Sequence, residues 1–247
     1  MKEVKLNKKK LKILKVKNDE SKDEIKLPLL FDVPFRLIIS AKSGQGKSNF
    51  LANMFLNTNF PYHKIFKGER IMMFAPNVMA DKKLRLIVEE LDVPDSNIFD
   101  DIDVLGDVYD SLVDDYLERE AEGDKVENSV IVVDDFAFSG SLASRFGDLA
   151  KVYNNGRKFN ISVITLTQAY SQLAKNIRNQ ATGFILFNTN NRELEVIESE
   201  NNFLSGGKKA FFKMWRDNVK EKHDFMIVNY SNPAKDLYLN KDFEVIN

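Results

Sequence analysis

The chain has no cysteine among its 247 residues and only two histidines, His63 and His223. The lack of cysteine excludes disulfides, thiolate catalysis, Cys-ligated zinc and iron–sulfur clusters, and it suits a reducing compartment. Because the two histidines lie 160 positions apart, a histidine-rich metal site or a histidine-centred triad is a poor explanation of the protein's chemistry.

Long apolar runs are also missing, since no run approaches the roughly 20 residues that a helix needs to cross a bilayer. Lysines interrupt the N-terminal stretch MKEVKLNKKKLKILKVK too often for the apolar centre of a signal peptide. Hydrophobic residues nevertheless make up 43% of the chain, which is enough for a sizeable packed core. We therefore expect an intracellular protein with no membrane-spanning segment.

The formal net charge is only -1, a sum that by itself would not suggest a nucleic-acid partner. The charge is segregated, however, because the first 17 residues carry a formal charge of +7 and residues 89–127 carry -14. The basic arm, residues 1–27, is either a solvated and partly disordered extension or an arm that binds DNA phosphates or a neighbouring subunit. The acidic segment is either a solvated face or a docking surface for a basic partner.

From residue 35 onward the pattern is that of an α/β domain, in which short apolar runs alternate with helix-period segments. Most strand candidates are apolar throughout, which predicts a mostly parallel sheet covered by helices on both faces. After residue 222 we expect a strand, an Asn-Pro turn and one or two short strands. The predicted strands are 35–40, 70–75, 129–134, 161–167 and 183–188, and the predicted helices are 47–57, 81–91, 107–122, 141–153 and 191–200.

A phosphate-binding loop follows the first predicted strand, because FRLIIS leads into AKSGQGKS at 41–48 and then into an apolar helix. Gly44 and Gly46 allow backbone N–H groups to turn towards a β-phosphate, and the helix N-terminus adds partial positive charge. We expect Lys47 to reach the β- and γ-phosphates and Ser48 to ligate Mg²⁺. The predicted nucleotide-binding residues are Ala41, in place of the motif's first glycine, and Lys42, Ser43, Gly44, Gln45, Gly46, Lys47, Ser48 and Asn49.

Two carboxylates end a second apolar strand, VIVVDD at 130–135. In a parallel α/β sheet the carboxyl end of a strand lies in the crevice where ligands bind. Asp134 is therefore the expected partner of Mg²⁺. Asp135 is expected to orient the attacking water or accept its proton, although its reach is one methylene shorter than that of glutamate.

A third polar position, Gln168, closes the apolar strand ISVITLT. Its amide could sense the γ-phosphate by hydrogen-bonding it or the attacking water. Arg157 and Arg178 flank this strand, and either could act as an arginine finger across a subunit boundary or form a surface salt bridge.

The motifs AKSGQGKS, RIMMFAPN, VIVVDD, GRKFNISVITLTQ and NIRNQATGFILFN, in this order, resemble the genome-packaging ATPases of large DNA viruses and virophages. These form the poxvirus-type branch of the FtsK–HerA superfamily. The resemblance covers about residues 30–240 and is most specific over 156–188. By position, Lys47 and Ser48 match the family's Walker A motif, Asp134 and Asp135 its Walker B motif, Gln168 its sensor and Arg178 its Ile-Arg-Asn segment. The family often has Arg-His where this chain has Arg157-Lys158, so we carry over no role for Arg157.

The resemblance implies one RecA-like (ASCE) P-loop ATPase domain over residues 28–247 that binds ATP and Mg²⁺. It further implies a ring, expected to be a hexamer, that pumps double-stranded DNA into a preformed capsid in the host cytoplasm or at the virion. A capsid or portal-vertex protein would then be a partner. Three alternatives stay open: a DNA helicase or transfer pump, an assembly protein that binds nucleotide without turnover, and a small-molecule kinase with a lid at 200–222.

Overall fold

The computed structural model describes residues 24–136 and 147–246. Within these residues the strands are β1 (Arg36–Ser40), β2 (Ile71–Phe74), β3 (Ile98–Phe99), β4 (Ser129–Asp134), β5 (Ile161–Thr167), β6 (Gly183–Phe187), β7 (Phe225–Asn229) and β8 (Tyr238–Leu239). The α-helices are α1 (Lys47–Leu56), α2 (Tyr62–Ile65), α3 (Lys82–Glu90), α4 (Leu105–Glu122), α5 (Asp148–Asn155), α6 (Lys175–Gln180), α7 (Asn191–Asn201) and α8 (Gly207–Asn218).

One eight-stranded sheet contains all these strands, in the order β3-β2-β4-β5-β1-β6-β7-β8. The strands from β3 to β6 in this order are parallel, and β7 and β8 join them antiparallel. The predicted α/β class and mostly parallel sheet are confirmed. Each of the five predicted strands lies within one residue of an observed strand at both ends.

Both faces of the sheet are buried, as the apolar strands predict. In β4, Ile131 and Val133 pack into one hydrophobic cluster. Val130 and Val132 point to the opposite face and pack into the other cluster. Because successive side chains of a strand point to opposite faces, a strand covered on both sides is apolar at most positions.

The topology brings three loops to one edge of the sheet. Ser40 at the end of β1 pairs with Thr167 at the end of β5. Asp134 at the end of β4 pairs with Leu166 of β5. The loops that follow β1, β4 and β5 therefore leave the same carboxyl edge, and β1 is central in the sheet.

The described fold begins before residue 28, the expected start of the domain. Ile25 and Val33 exchange backbone hydrogen bonds of 2.8 and 3.0 Å, and Lys26 Nζ lies 2.9 Å from Asp32 Oδ2. The last residues of the predicted arm thus belong to the folded part. The rest of the arm, residues 1–23, lies outside the described residues, as do residues 141–146 of the helix predicted at 141–153.

The sequence prediction missed three helices, of which α8 matters most for function. This helix occupies the stretch that the kinase alternative requires as a lid. It buries Phe211, Met214 and Trp215 against the core. These apolar residues anchor the helix to the core, and this packing disfavours the kinase alternative, which needs a movable lid at 200–222.

No helix in the described part of the chain is long and apolar enough to cross a membrane.

Candidate active site

The loop between β1 and α1 curves because two glycines adopt left-handed backbone angles. Gly44 has φ of 73° and Gly46 has φ of 112°. A Cβ at position 46 would lie 3.3 Å from His223 Nδ1 and 3.5 Å from a ring carbon of Phe187. Position 46 thus favours glycine for two reasons: the left-handed backbone angle, and the close approach of the His223 and Phe187 side chains. The ten-residue helix α1 starts at the next residue, so its free N–H groups adjoin the loop.

Lys47 is held inside the loop. Its Nζ donates a hydrogen bond of 2.9 Å to the carbonyl oxygen of Ala41. Burial lowers the pKa of Lys47, and the charges of Asp134 and Asp135 act against that shift. A phosphate oxygen is a stronger acceptor for an ammonium group than a backbone carbonyl. The side chain is therefore placed to exchange the Ala41 carbonyl for a phosphate.

The two carboxylates after β4 have different environments. Asp134 is only 7% exposed, and burial raises its pKa to about 6 although the charge of Lys47 opposes the rise. Asp135 is exposed and has φ of 57°, in the left-handed region. Gln168 Nε2 donates a hydrogen bond of 3.0 Å to Asp135 Oδ1. Asp135, which is expected to activate water, is thus hydrogen-bonded to Gln168, which is expected to sense the γ-phosphate.

Ser48 meets a carboxylate that the sequence analysis did not single out. Its Oγ donates to Asp81 Oδ2 over 3.2 Å, while Asp81 Oδ1 caps α3 by accepting from the backbone N–H of Lys83 and Leu84. The serine hydroxyl and the Asp134 carboxylate are the hard oxygen ligands that Mg²⁺ prefers, so these residues fit the metal. The position of Asp81 after β2 could have predicted its place in the site. Loops that follow parallel strands all leave from the carboxyl edge of the sheet.

A second unpredicted residue of the site, His223, comes from the turn before β7. Its Nδ1 lies 2.9 Å from the carbonyl oxygen of Gln45. His223 is 178 positions from Gln45 and adopts a left-handed φ of 79°. No local pattern in the sequence marks such a contact, because only the antiparallel return of β7 creates it.

These side chains surround one cavity of about 380 Å³. It includes most of the predicted nucleotide-binding residues and all of the predicted metal ligands. Ala41 and Gln45 do not line the cavity, but their backbone carbonyl oxygens contact Lys47 and His223, which do. The lining residues are Lys42, Ser43, Gly44, Gly46, Lys47, Ser48, Asn49, Asp81, Lys83, Asp134, Asp135, Gln168 and His223.

Neither candidate arginine finger lines this cavity of its own chain. Arg178 forms a two-point ion pair with Glu200, at 2.9 Å through Nε and 2.7 Å through one terminal nitrogen. It also donates to the carbonyl of Leu173 and lies over the ring of Tyr170. The Arg157 side chain is 51% exposed and lies 3.7 Å from Glu24. Arg157 is therefore the more exposed of the two arginines, whereas Arg178 is held by several contacts within its own subunit.

The raised pKa of Asp134 predicts a pH-dependent stability difference for Asp134→Asn. A carboxyl group whose pKa is higher when folded contributes stability below its unfolded value of 3.8, and this is lost as pH rises through about 6. Without nucleotide or metal, Asp134→Asn should therefore be more stable than the wild type at pH 7.5, by up to about 3 kcal/mol. Thermal unfolding from pH 4 to 8 measures the difference.

The matched control is Asp135→Asn, which changes the same group at an exposed position and should shift Tm little. A Tm difference between Asp134→Asn and the wild type that does not grow from pH 5 to pH 7.5 would contradict the proposed effect of burial.

The sheet order, the phosphate loop after β1 and the carboxylates after β4 together define a RecA-like P-loop ATPase. Residues 22–243 match the family described as Poxvirus A32 protein, and the chain belongs to this family. The match confirms the resemblance to the poxvirus-type branch of packaging ATPases. No curated protein matches the sequence.

Solved structures with a similar fold include B204, the DNA-packaging ATPase from Sulfolobus Turreted Icosahedral Virus. It is 16% identical, and the match covers 80% of this chain and 93% of that chain with a TM-score of 0.54. The genome packaging NTPase B204 from Sulfolobus turreted icosahedral virus 2, in complex with AMPPCP, is 14% identical, with the same coverage and a TM-score of 0.53.

The cytoplasmic domain of the Type VII Secretion ATPase EccC from Thermomonospora curvata is also similar. The two sequences are 13% identical. The match covers 79% of this chain but only 22% of the EccC chain, with a TM-score of 0.50. At such identities these structures establish the shared fold.

Proposed function

We propose that this protein is the Mg²⁺-dependent ATPase that drives double-stranded DNA into a viral capsid. Membership of the Poxvirus A32 protein family supports this function. The observation that carries it is the convergence of Lys47, Asp134, Asp135 and Gln168 on one cavity at the carboxyl edge of the sheet.

Each of these side chains has a separate role in ATP hydrolysis. The loop N–H groups and Lys47 bind the β- and γ-phosphates, and Asp135 orients the attacking water or takes up its proton. Gln168, which donates to Asp135, moves when the γ-phosphate leaves. Mg²⁺, held by Ser48 and Asp134, would neutralise charge that develops on the phosphate oxygens.

The residues that follow Gln168 in the chain contact helix α7. In the turn after Gln168, Ser171 donates to the Glu193 carboxylate through its N–H at 2.9 Å and its hydroxyl at 2.5 Å. Tyr170 Oη donates to Glu200 over 2.9 Å. We infer that release of phosphate is transmitted along this route to the α7–α8 connection and the first turn of α8, where the SGGKK stretch at 205–209 is a candidate DNA contact.

The working unit in this proposal is a ring, expected to be a hexamer, with each site completed by a neighbouring subunit. Exposed Arg157 is better placed to cross a subunit boundary than Arg178, which would first have to leave Glu200. The basic arm would bind DNA phosphates. A capsid or portal-vertex protein would hold the ring at the assembly site in the host cytoplasm.

The test combines two measurements on the purified full-length protein with Mg²⁺ and double-stranded DNA. We expect release of phosphate from ATP and ATP-dependent movement along the DNA. Absence of hydrolysis under conditions that support oligomers would overturn the proposal. Tight ATP binding with ring formation but no phosphate release would instead favour a nucleotide-dependent assembly protein.

A further inference from the structure

The basic arm joins the described structure beside a groove of about 510 Å³ at the C-terminal end of α4. Residues 123–126, which lie between α4 and β4, line this groove, so it is at the opposite edge of the sheet from the phosphate cavity. Its apolar lining residues are Ile25, Ile65, Tyr116 and Val126, and its carboxylates are Glu120 and Asp124. We propose that residues 1–17 of the basic arm bind this groove and the exposed face of α4 in the same chain. That DNA competes for the arm is a further part of the inference and rests on the proposed function.

The exposed face of α4 is strongly acidic. The helix, LGDVYDSLVDDYLEREAE, contains seven carboxylates and one arginine. Residues three or four positions apart on a helix lie on the same face. Five exposed carboxylates of α4 follow this spacing, and we call them the acidic stripe: Asp107, Asp110, Asp114, Glu118 and Glu122.

The charge of the acidic stripe is poorly compensated. Among the described residues its one ion pair joins Asp110 to Lys151 Nζ at 2.6 Å. Like charges four positions apart destabilise a helix. Glu118 and Glu122 also lie near the C-terminus of α4, where the helix dipole is itself negative. A cationic ligand would relieve both effects, so the stripe favours a basic partner.

The basic arm has the composition that this surface requires. Its first 17 residues carry eight lysines and a formal charge of +7, with apolar residues among the lysines. Leu117 of α4 is 47% exposed and lies three positions from Asp114, so the face offers apolar contact beside its carboxylates. In the groove, Asn128 Oδ1 has no hydrogen-bond partner among the described residues and can accept from a lysine. Lysine stems can cover apolar surface while their ammonium groups meet carboxylates.

The attachment point of the arm favours its own chain as the partner. Ile25 lines the groove, and Lys17 is eight positions before it. A spacer of that length extends up to about 26 Å, and the 18 residues of α4 span about 27 Å. The lysines can therefore reach the whole acidic stripe of their own subunit. Because the arm is tethered beside the stripe, its effective concentration there exceeds that of a separate basic protein.

Binding of the arm to α4 would affect its use by DNA. Lysines that pair with the acidic stripe are not available to phosphates, so the apparent affinity of the arm for DNA falls with the fraction that is free. The acidic stripe and DNA then compete for the same ammonium groups. Double-stranded DNA should displace the arm from α4.

The test uses two introduced cysteines, which report the contact specifically because the chain has no cysteine of its own. Asn7→Cys lies among the arm lysines, and Ser111→Cys is at an exposed position of α4. In dilute full-length protein with diamide as oxidant, we expect a disulfide within one chain. Combining Asp114→Asn, Glu118→Gln and Glu122→Gln should slow its formation by about 5-fold or more. Neutral neighbours by themselves favour the reactive thiolate, so a slower reaction reports loss of the contact.

Two further measurements keep the test independent of how these substitutions affect folding. High salt should slow disulfide formation without any charge substitution, because it screens the ion pairs. The matched control combines Glu90→Gln, Asp95→Asn and Asp100→Asn, which remove three exposed carboxylates outside α4. This control should leave the rate unchanged.

Equal rates with the acidic stripe intact and neutralised, or a rate that salt does not change, would overturn the inference. A disulfide that forms only between two chains would also overturn it, because the arm would then bind a neighbouring subunit. Double-stranded DNA should slow the reaction. If the rate depends on the stripe but not on DNA, the proposed DNA contact of the arm is wrong and its binding to α4 stands.

Discussion

Lys47→Ala is expected to lower kcat for ATP hydrolysis by about 10²–10³-fold, the usual loss when one preorganised donor to a developing charge is removed. Lys47 is already bonded to the Ala41 carbonyl inside the loop and is partly shielded from water. It therefore needs little reorganisation to reach a phosphate. Steady-state phosphate release with Mg²⁺ and double-stranded DNA measures the effect.

Removal of the ammonium group should also weaken ATP binding, since a charge-assisted contact to the phosphates is lost. The control is Lys213→Ala, the same substitution at a side chain that is 79% exposed and pairs with Asp217 on the surface of α8. Its kcat should remain that of the wild type. A Lys47→Ala enzyme that retains more than half of the wild-type kcat would show that hydrolysis does not use this loop as described.

Asp135→Asn is expected to lower kcat by about 10²–10⁴-fold, the range that a positioned general base contributes. Asparagine can still accept the hydrogen bond from Gln168, so the substitution removes the basic group while preserving the local contact. ATP affinity should stay within a few-fold, because Asp135 does not ligate the phosphates in this account. Single-turnover hydrolysis together with equilibrium binding separates the two effects.

Asp135→Glu is the matched variant, because it keeps the carboxylate and extends its reach by one methylene. It should retain far more activity than Asp135→Asn. If Asp135→Asn hydrolysed ATP at the wild-type rate, the base would have to be another carboxylate of the cavity. Asp81, which accepts the Ser48 hydroxyl, would be the first to test by the same substitution.

Local sequence patterns are sufficient to predict much of the fold. The stretch 129–134 (SVIVVD) is predicted as a strand and forms β4, because a strand buried on both faces is apolar at most positions. Helix α8 was missed because its signals conflict. Its sequence begins with glycine and lysines, and its position depends on the tertiary packing of Phe211, Met214 and Trp215. The two-residue strand β3 is too short for any periodicity to show.

Some residues of the candidate site could likewise be predicted from the sequence, and others could not. Gly44, Lys47 and Ser48 belong to one contiguous motif, so their shared cavity could be predicted from spacing alone. Asp134 and Gln168 could be added because parallel strands end at one edge. The contact of His223 with the loop depends on β7 returning beside β6, and the pairing of Arg178 with Glu200 depends on how α7 packs. Such long-range contacts leave no local signature.

The most direct measurement of the central claim is displacement of a third strand from a DNA triplex by the full-length protein. A motor that uses the described cavity should remove the strand with ATP and Mg²⁺. It should fail with a non-hydrolysable ATP analogue, and Lys47→Ala should fail with ATP. Hydrolysis of ATP without any strand displacement, or displacement that needs no ATP, would contradict the claim that this ATPase drives DNA movement.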